Sequence, residues 1–309
     1  MLHLTHALKF ESLIDSALAR YLIRRALLAP ATIGHSLFWS LKSEMSMQEG
    51  LAVRNRFGII ISQYLKCCGK AHRVSLGHSL WLMEKLRTIA KSPIFISKKK
   101  TKDKNELLQH ELRLLNGLIP TTGVRLPLNT KHNKNENNAT STTSPGRKKK
   151  KTMNLEEELL LSSSVSNDNS IMVTSIIIEK CKIMSSKKAP LWLVFNTIDS
   201  QNTIGTTTVL FKEGDDLRQD QLTIAVLRVV ERCWKEAGLN LEMLPYGCCS
   251  TGDCRGMIEA VPNSITLARM IAEHAGGSKI KKAITAFSDK SVSKLNICSL
   301  NLFGNPCVP

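Results

Sequence analysis

The stretch VLFKEGDDLRQD (209–220) changes its periodicity within one turn. Val209, Leu210 and Phe211 read as the end of a strand that closes on Lys212, and Gly214 supplies a tight turn. Asp215 and Asp216 stand where a helix wants an N-cap and a first-turn acid. Leu217 through Trp234 then carries helical spacing up to Gly238. Outward from this junction, MVTSIII (172–178), LWLVF (191–195) and TTVLFK (207–212) precede it, and LEMLPYGCCS (241–250) and GMIEAV (256–261) follow. These short runs, β-branched or aromatic and bounded by turn residues, read as strands. ITLARMIAEH (265–274) predicts a helix after the Asn263/Ser264 cap, ending at Gly276, and a last short helix falls at roughly 279–287. Strands, one long helix, more strands and then helices describe an α+β lobe.

The beginning of the chain has the helical period instead. FESLIDSALARYLIRRALL (10–28), HSLFWSLKSEM (35–45), GLAVRNRFGIIISQYLKCC (50–68) and HSLWLMEKLRTIAK (78–91) are amphipathic and joined by short links at Pro30/Gly34 and Gly69. Short links make antiparallel neighbours, so residues 9–91 read as a stack of helical hairpins with Trp39 and Trp81 in its core. Between the two regions, 97–169 is polar and repetitive: KKKTKDK, one helix-like stretch (ELLQHELRLLNGL), NTKHNKNENNATSTTSPGRKKKK and SSSVSNDNS. Such composition buries too little apolar surface to offset ordering entropy, and it reads as a mostly disordered basic linker. RKKKK (147–151) fits a nuclear-import signal or an anionic-lipid contact, but a solvated charge run is the commoner meaning of so short a match.

The 309 residues suggest about two domains, and 42% apolar with 22% charged residues is ordinary for a folded chain. The net charge of +17 is not. Residues 97–151 hold 14 Lys/Arg against 4 Asp/Glu, so one stretch carries most of the excess. Nine cysteines without a C-x-x-C pair or a zinc-ligand spacing suit reduced thiols in the cytoplasm. The N-terminus lacks a signal-peptide core and no window holds 18 apolar residues, so any membrane contact is expected to be peripheral.

Three strings point jointly to nucleotide chemistry. In IMSSKKAPLWLVF (183–195), a turn between strands offers backbone N–H groups and the Ser185 and Ser186 hydroxyls to phosphate oxygens. It is not a Walker A loop, since no G-x-x-x-x-G-K-[ST] occurs in the chain. In VLFKEGDDLRQD, Lys212 would reach ATP phosphates from the sheet, and Asp220, one turn into the helix, would face back as its acidic partner. In MLPYGCCSTGDCRGMIEAVPNS (243–264), a strand entering a linker can present the Glu259 carbonyl and the Val261 N–H to adenine, while Pro262 has no N–H to offer. Singly, Lys212 fits a solvated strand end, Asp215 and Asp216 helix caps, and Tyr246 core packing. Their order and spacing together favour a nucleotide site.

LFWSLKSEM, KIMSSKKAPLWL, VLFKEGDDLRQDQLT, LEMLPYGCCSTGDCRGMIEAV and, more loosely, ITAFSDKSV resemble the phosphoinositide 3-kinase catalytic subunits, class I most closely. The resemblance covers about 9–93 and 172–291. It implies a multi-domain chain: the C-terminal part of a helical accessory domain (1–96), a disordered basic linker (97–170), a protein-kinase-like small lobe with its hinge (171–291) and a divergent tail (292–309). Met184, Ser185 and Ser186 match the family's phosphate-binding loop, Trp192 a lining residue of the adenine pocket, and Lys212 the ATP-phosphate lysine. Asp220 and Tyr246 match the inner pocket, Ile258 packs near adenine, and Glu259 and Val261 form the hinge.

The family's D-R-H-x-x-N and D-F-G motifs, which supply the catalytic acid and the metal ligands, do not occur. The resemblance therefore implies a truncated piece of an ATP- and Mg2+-dependent lipid kinase acting on the inositol 3-hydroxyl of phosphoinositides, with no catalytic or metal-binding residue of its own and inactive alone. The alternative is a non-catalytic fragment that binds partners through its helical stack. Family partners would be a phosphoinositide membrane lipid, a regulatory adaptor subunit and a small GTPase, with recruitment from the cytoplasm to the plasma membrane. Nucleic-acid binding through 97–151 is the weakest reading, and no such partner is expected.

Overall fold

The structure, a computed structural model, describes residues 1–12, 15–46, 50–93, 101–128, 171–186, 188–239, 241 and 243–261, with two-residue strands at 133–134, 264–265 and 296–297. The helical stack comprises α1 (Leu2–Ala7), α2 (Ala17–Leu28), α3 (His35–Met45), α4 (Leu51–Cys67) and α5 (Lys70–Ala90). Ser16 caps α2 by accepting from the Ala19 amide at 3.0 Å, and Leu22 and Ala26 then face inward one turn apart. A π-helical turn, Pro30–Gly34, leads into α3. There Gly34 lets two helices touch: a Cβ on it would stand 2.0 Å from the Tyr64 hydroxyl of α4. Trp39 is 1% exposed and lies in the core, whereas Trp81 packs at its margin.

Helix α3 carries the LFWSLKSEM string and is buried nearly all round, with Leu37, Phe38, Trp39, Leu41, Ser43 and Glu44 inside. Its last turn is polar yet enclosed because each group has work to do. The Ser43 hydroxyl donates to Ser250 at 2.8 Å, and Glu44 pairs with Lys9 at 2.9 Å.

Residues 101–128, which the sequence reading groups with the polar linker, are built into the fold. Helix α6 (Thr101–Asn116) buries Leu108, Leu112 and Leu115. The side-chain carbonyls of its Asn105 and Asn116 accept from the strand amides of Ile183 and Ile176 at 2.8 and 2.7 Å. The segment after it is tied to the stack: Ser79 donates to the Arg125 carbonyl, and His35 Nε2 donates to the Leu126 carbonyl at 2.8 Å. Burial pushes the His35 imidazole down to about 3, with the Arg125 charge adding to the effect, so its ring is neutral and Nε2 carries the proton.

The small lobe is a curled antiparallel sheet in the order β1 (Val124–Arg125), β3 (Met172–Ile176), β5 (Leu191–Ile198), β6 (Ile204–Glu213), β8 (Arg255–Glu259), β7 (Cys248–Gly252). Strand β2 (Asn133–Lys134) pairs with β6, and β4 (Lys182–Ile183) with β5. Helix α7 (Arg218–Glu236) follows β6 as expected. Leu217, not an aspartate, is its N-cap residue, although the Arg218 amide still donates to Asp216 at 3.1 Å. Ser264 and Ile265, expected next to a helix start, form β9 and pair in parallel with β10 (Asn296–Ile297). The helices expected at 265–274 and 279–287 otherwise lie outside the described residues.

One face of the sheet joins the helical core. Leu191, Leu193, Phe195, Val209, Phe211 and Met257 belong to the same buried cluster as Trp39, Phe57, Leu82 and Leu112. The helical stack, α6 and the sheet therefore share one apolar interior, whose burial at about 25 cal/mol per Å² is the main force joining them.

Candidate nucleotide-facing site

Strand alternation sends every second residue to the other face, and there the register aligns one row across the sheet. Lys182 opposes Trp192, Trp192 opposes Leu210, Leu210 opposes Ile258, and Ile258 opposes Cys248. Leu210, Leu217, Ile258 and Ala260 form a second buried cluster, with Trp192, Tyr246 and Cys248 packed against it. The Lys182 ammonium stands 5.6 Å from the centre of the Trp192 ring, within cation–π range. Trp192, Tyr246 and Ile258, separately chosen from sequence, are thus brought together. Leu210, Leu217 and Cys248 join them without being among the sequence-predicted site residues. Leu210 was legible in principle, since it stands two residues before Lys212 on one strand and so shares its face.

Lys212 lies two rungs further along the β6–β8 ladder, on this same face, opposite Gly256. Its ammonium is 3.6 Å from Asp215, and the same carboxylate is 2.7 Å from Lys188. Lys188 also donates to the Gly214 carbonyl, which draws the serine-bearing loop to the end of β6. That loop closes on itself: Met184 N–H donates to Pro190, Ser186 N–H to Met184, and Ala189 N–H to Ser186, at 2.9, 3.0 and 3.0 Å. Met184 is half-buried, while Ser185 and Ser186 are exposed.

The acids divide their roles differently from the sequence expectation. Asp215, read as a cap, bridges two lysines. Burial pushes the Asp216 carboxyl up, but hydrogen bonds from Arg218 and its charge outweigh this and hold it below the usual carboxylate range. Burial raises the Asp220 carboxyl, and the nearby Lys212 ammonium offsets that only in part. Asp220 therefore feels Lys212 electrostatically, whereas the close ion pair of Lys212 is with Asp215.

Where β8 leaves the sheet, the Glu259 side chain accepts from the Gly247 amide at 2.7 Å, and the Glu259 amide donates to the Gly247 carbonyl at 2.7 Å. The Ala260 amide donates to Thr208 at 2.9 Å, so β6 holds the strand as it leaves the sheet. Val261 is buried and its carbonyl accepts from Ser264 at 2.7 Å. Met184, Ser185 and Ser186 lie at the β4–β5 loop, Glu259 and Val261 at the exit of β8, and Lys212 and Asp220 on either side of the glycine turn. Among the described residues, no three His, Cys, Asp or Glu side chains gather as a metal site.

A helical-hairpin stack is thus docked on one face of a curled antiparallel small-lobe sheet, and a strand-borne lysine stands on the other. Comparison with known proteins extends this. Residues 206–302 match the family described as Phosphatidylinositol 3- and 4-kinase, and residues 1–77 match the Phosphoinositide 3-kinase family, accessory domain (PIK domain). The chain is 34% identical over 282 residues to Phosphatidylinositol 3-kinase 2 of Dictyostelium discoideum, covering 90% of this chain and 12% of that protein. It is 34% identical over 278 residues to Phosphatidylinositol 3-kinase 1 of the same organism, covering 90% and 14%. The chain therefore carries sequence of both the accessory domain and the kinase domain of the phosphoinositide 3-kinase family, and it spans only a small part of the length of these relatives.

Proposed function

We propose that this sequence forms the helical-domain and nucleotide-facing small-lobe part of a class I phosphoinositide 3-kinase catalytic subunit, an enzyme that phosphorylates the inositol 3-hydroxyl. The observation that carries this reading is that the Leu210–Ile258 and Lys212–Gly256 rungs share the sheet face turned away from the helical core. Trp192, Leu210 and Ile258 make an apolar row suited to a purine, and Lys212 beyond them, opposite a glycine, is suited to phosphates.

The residues present fit ATP. Trp192, Tyr246 and Ile258 would take the base, while Lys212, Ser185 and Ser186, with the Met184 backbone, would take phosphate oxygens. The Glu259 carboxylate is engaged by Gly247, so its part in base recognition falls to its backbone carbonyl, beside the Val261 N–H. ATP supplies the phosphoryl group. The chain's own residues bind and orient it, with the half-buried Asp220 carboxyl within the field of the Lys212 ammonium. The substrate-activating acid and the Mg2+ ligands would come from D-R-H-x-x-N and D-F-G sequence that these 309 residues do not contain. That same observation favours the second reading, a non-catalytic fragment binding partners through its helical stack. Adaptor subunits, small GTPases and membrane recruitment belong to the first proposal. Among the described residues, no helix is long and apolar enough to cross a membrane.

The test is transfer from ATP to phosphatidylinositol vesicles by the natural protein, captured with an antibody to residues 239–262. The expected product carries phosphate on the 3-hydroxyl, and Lys212→Ala lowers turnover by about 100-fold or more, as loss of a phosphate-stabilising charge does. Unchanged turnover in that variant contradicts the assignment.

A further inference from the structure

The helical stack meets the small lobe through charge as well as through the shared core. Glu84, Arg87 and Lys91 succeed one another along one side of α5 and its C-terminal end, at spacings of three and four residues. Two residues of the sheet answer them. Arg255, whose side chain is 3% exposed, lies 2.8 Å from Glu84, and its other terminal nitrogen donates to Asp253 at 2.8 Å. Glu213 lies 3.3 Å from Lys91 and 3.8 Å from Arg87.

Glu213 and Arg255 are not scattered sites. They face each other in the β6–β8 register, and the next rung of the same ladder is Lys212 opposite Gly256. Because side chains alternate, the Glu213–Arg255 rung turns toward α5 while the Lys212 rung turns to the opposite face. The hairpin that carries Arg255 is held from the stack at two more points: Ser43 donates to Ser250 at 2.8 Å, and the Asp253 amide donates to Ser46 at 2.9 Å. Burial alone would push the Glu84 carboxyl up. Arg255, with help from Arg87, reverses this and holds it below the usual carboxylate range.

We propose that Glu84, acting through Arg255, is a positioning residue for Lys212: its ion pair ties α5 to the rung beside the lysine and makes the helical stack part of what orients it. A buried guanidinium is sensitive to losing a partner, and the rung it belongs to is the backbone from which Lys212 projects. Movement of α5 therefore reaches the Lys212 face across one residue of strand. The functional consequence rests on the nucleotide reading of that face, but the tie itself does not.

The experiment compares the 309-residue chain with its Glu84→Gln variant and with the charge-exchanged pair Glu84→Arg/Arg255→Glu. Two quantities are read by mass spectrometry. One is acetylation of Lys212 by acetic anhydride relative to the other lysines, and the other is amide exchange in 209–214 and 252–259 relative to α3. Glu84→Gln is half-exposed and isosteric, so it should fold. It is expected to raise exchange in the two rung segments roughly tenfold, the scale of local opening when a charge-assisted contact is lost. It should also change the relative labelling of Lys212 without altering α3, and the exchanged pair should move both quantities back toward wild type. Wild-type labelling and exchange in Glu84→Gln overturns the proposal. So does a rise spread evenly through the chain, or a folded exchanged pair that restores nothing. Neither readout uses nucleotide, so failure of the ATP reading leaves this result to stand separately.

Discussion

Gly256 faces Lys212 across the β6–β8 ladder, and its missing side chain is a packing requirement. A Cβ there would stand 2.2 Å from the Cys249 carbonyl oxygen and 2.9 Å from the Leu217 side chain. Gly256→Ala must therefore displace β7 backbone, and it is expected to destabilise the chain by about 1–3 kcal/mol, the usual cost of overpacking, measured by urea unfolding. Wild-type stability would show that β7 yields freely. Asp220 gives a pH-dependent prediction. Its carboxyl is raised in the folded state, so its contribution is fully present below the unfolded carboxylate range and is lost as pH rises through the folded value. Asp220→Asn is then at least as stable as wild type at pH 7, by up to about 1 kcal/mol for a partly solvated charge, and the gap closes toward about pH 4. A variant weaker at pH 7 than at pH 4, relative to wild type, would contradict the role given to burial.

Among the elements, α6 departs most from its sequence reading. Leu108, Leu112 and Leu115 have helical spacing, yet the surrounding lysines and asparagines gave the segment the composition of a linker. What rescues it is nonlocal: those leucines are 0, 0 and 4% exposed against the common core, and two asparagines that looked like disorder satisfy strand amides. Leu112→Ala is expected to cost about 2–5 kcal/mol, as a fully buried leucine does, and an unchanged thermal midpoint would place α6 outside the cooperative fold. Elements with strong local signals were legible: α3, α4 and α7 fall where periodicity put them, within a residue or two, while β5 and β6 each run three residues beyond the expected stretch at one end. The site was legible in its type of residue more than in its pairing. Lys212, Trp192, Ile258 and Tyr246 announce themselves in motif and period, whereas the choice of Asp215 over Asp220 as the close partner of Lys212 depends on how tightly the glycine turn folds back.

At the scale of the whole molecule, the helical stack and the small lobe are one body. A single apolar cluster runs from Leu22 and Trp39 through Leu112 to Phe195 and Met257, and the seam adds Ser43–Ser250 and Glu84–Arg255. The helical stack thereby covers one face of the sheet, and the other face, with Lys212 at the end of its apolar row, is the proposed seat of the nucleotide. The measurement that tests this most directly is labelling of the natural protein with an acyl phosphate of ATP, which acylates a lysine held beside bound phosphates. Lys212 is expected to be acylated, with excess ATP suppressing the reaction and Trp192→Ala weakening it. Labelling confined to lysines elsewhere, or labelling of Lys212 indifferent to ATP, would contradict it.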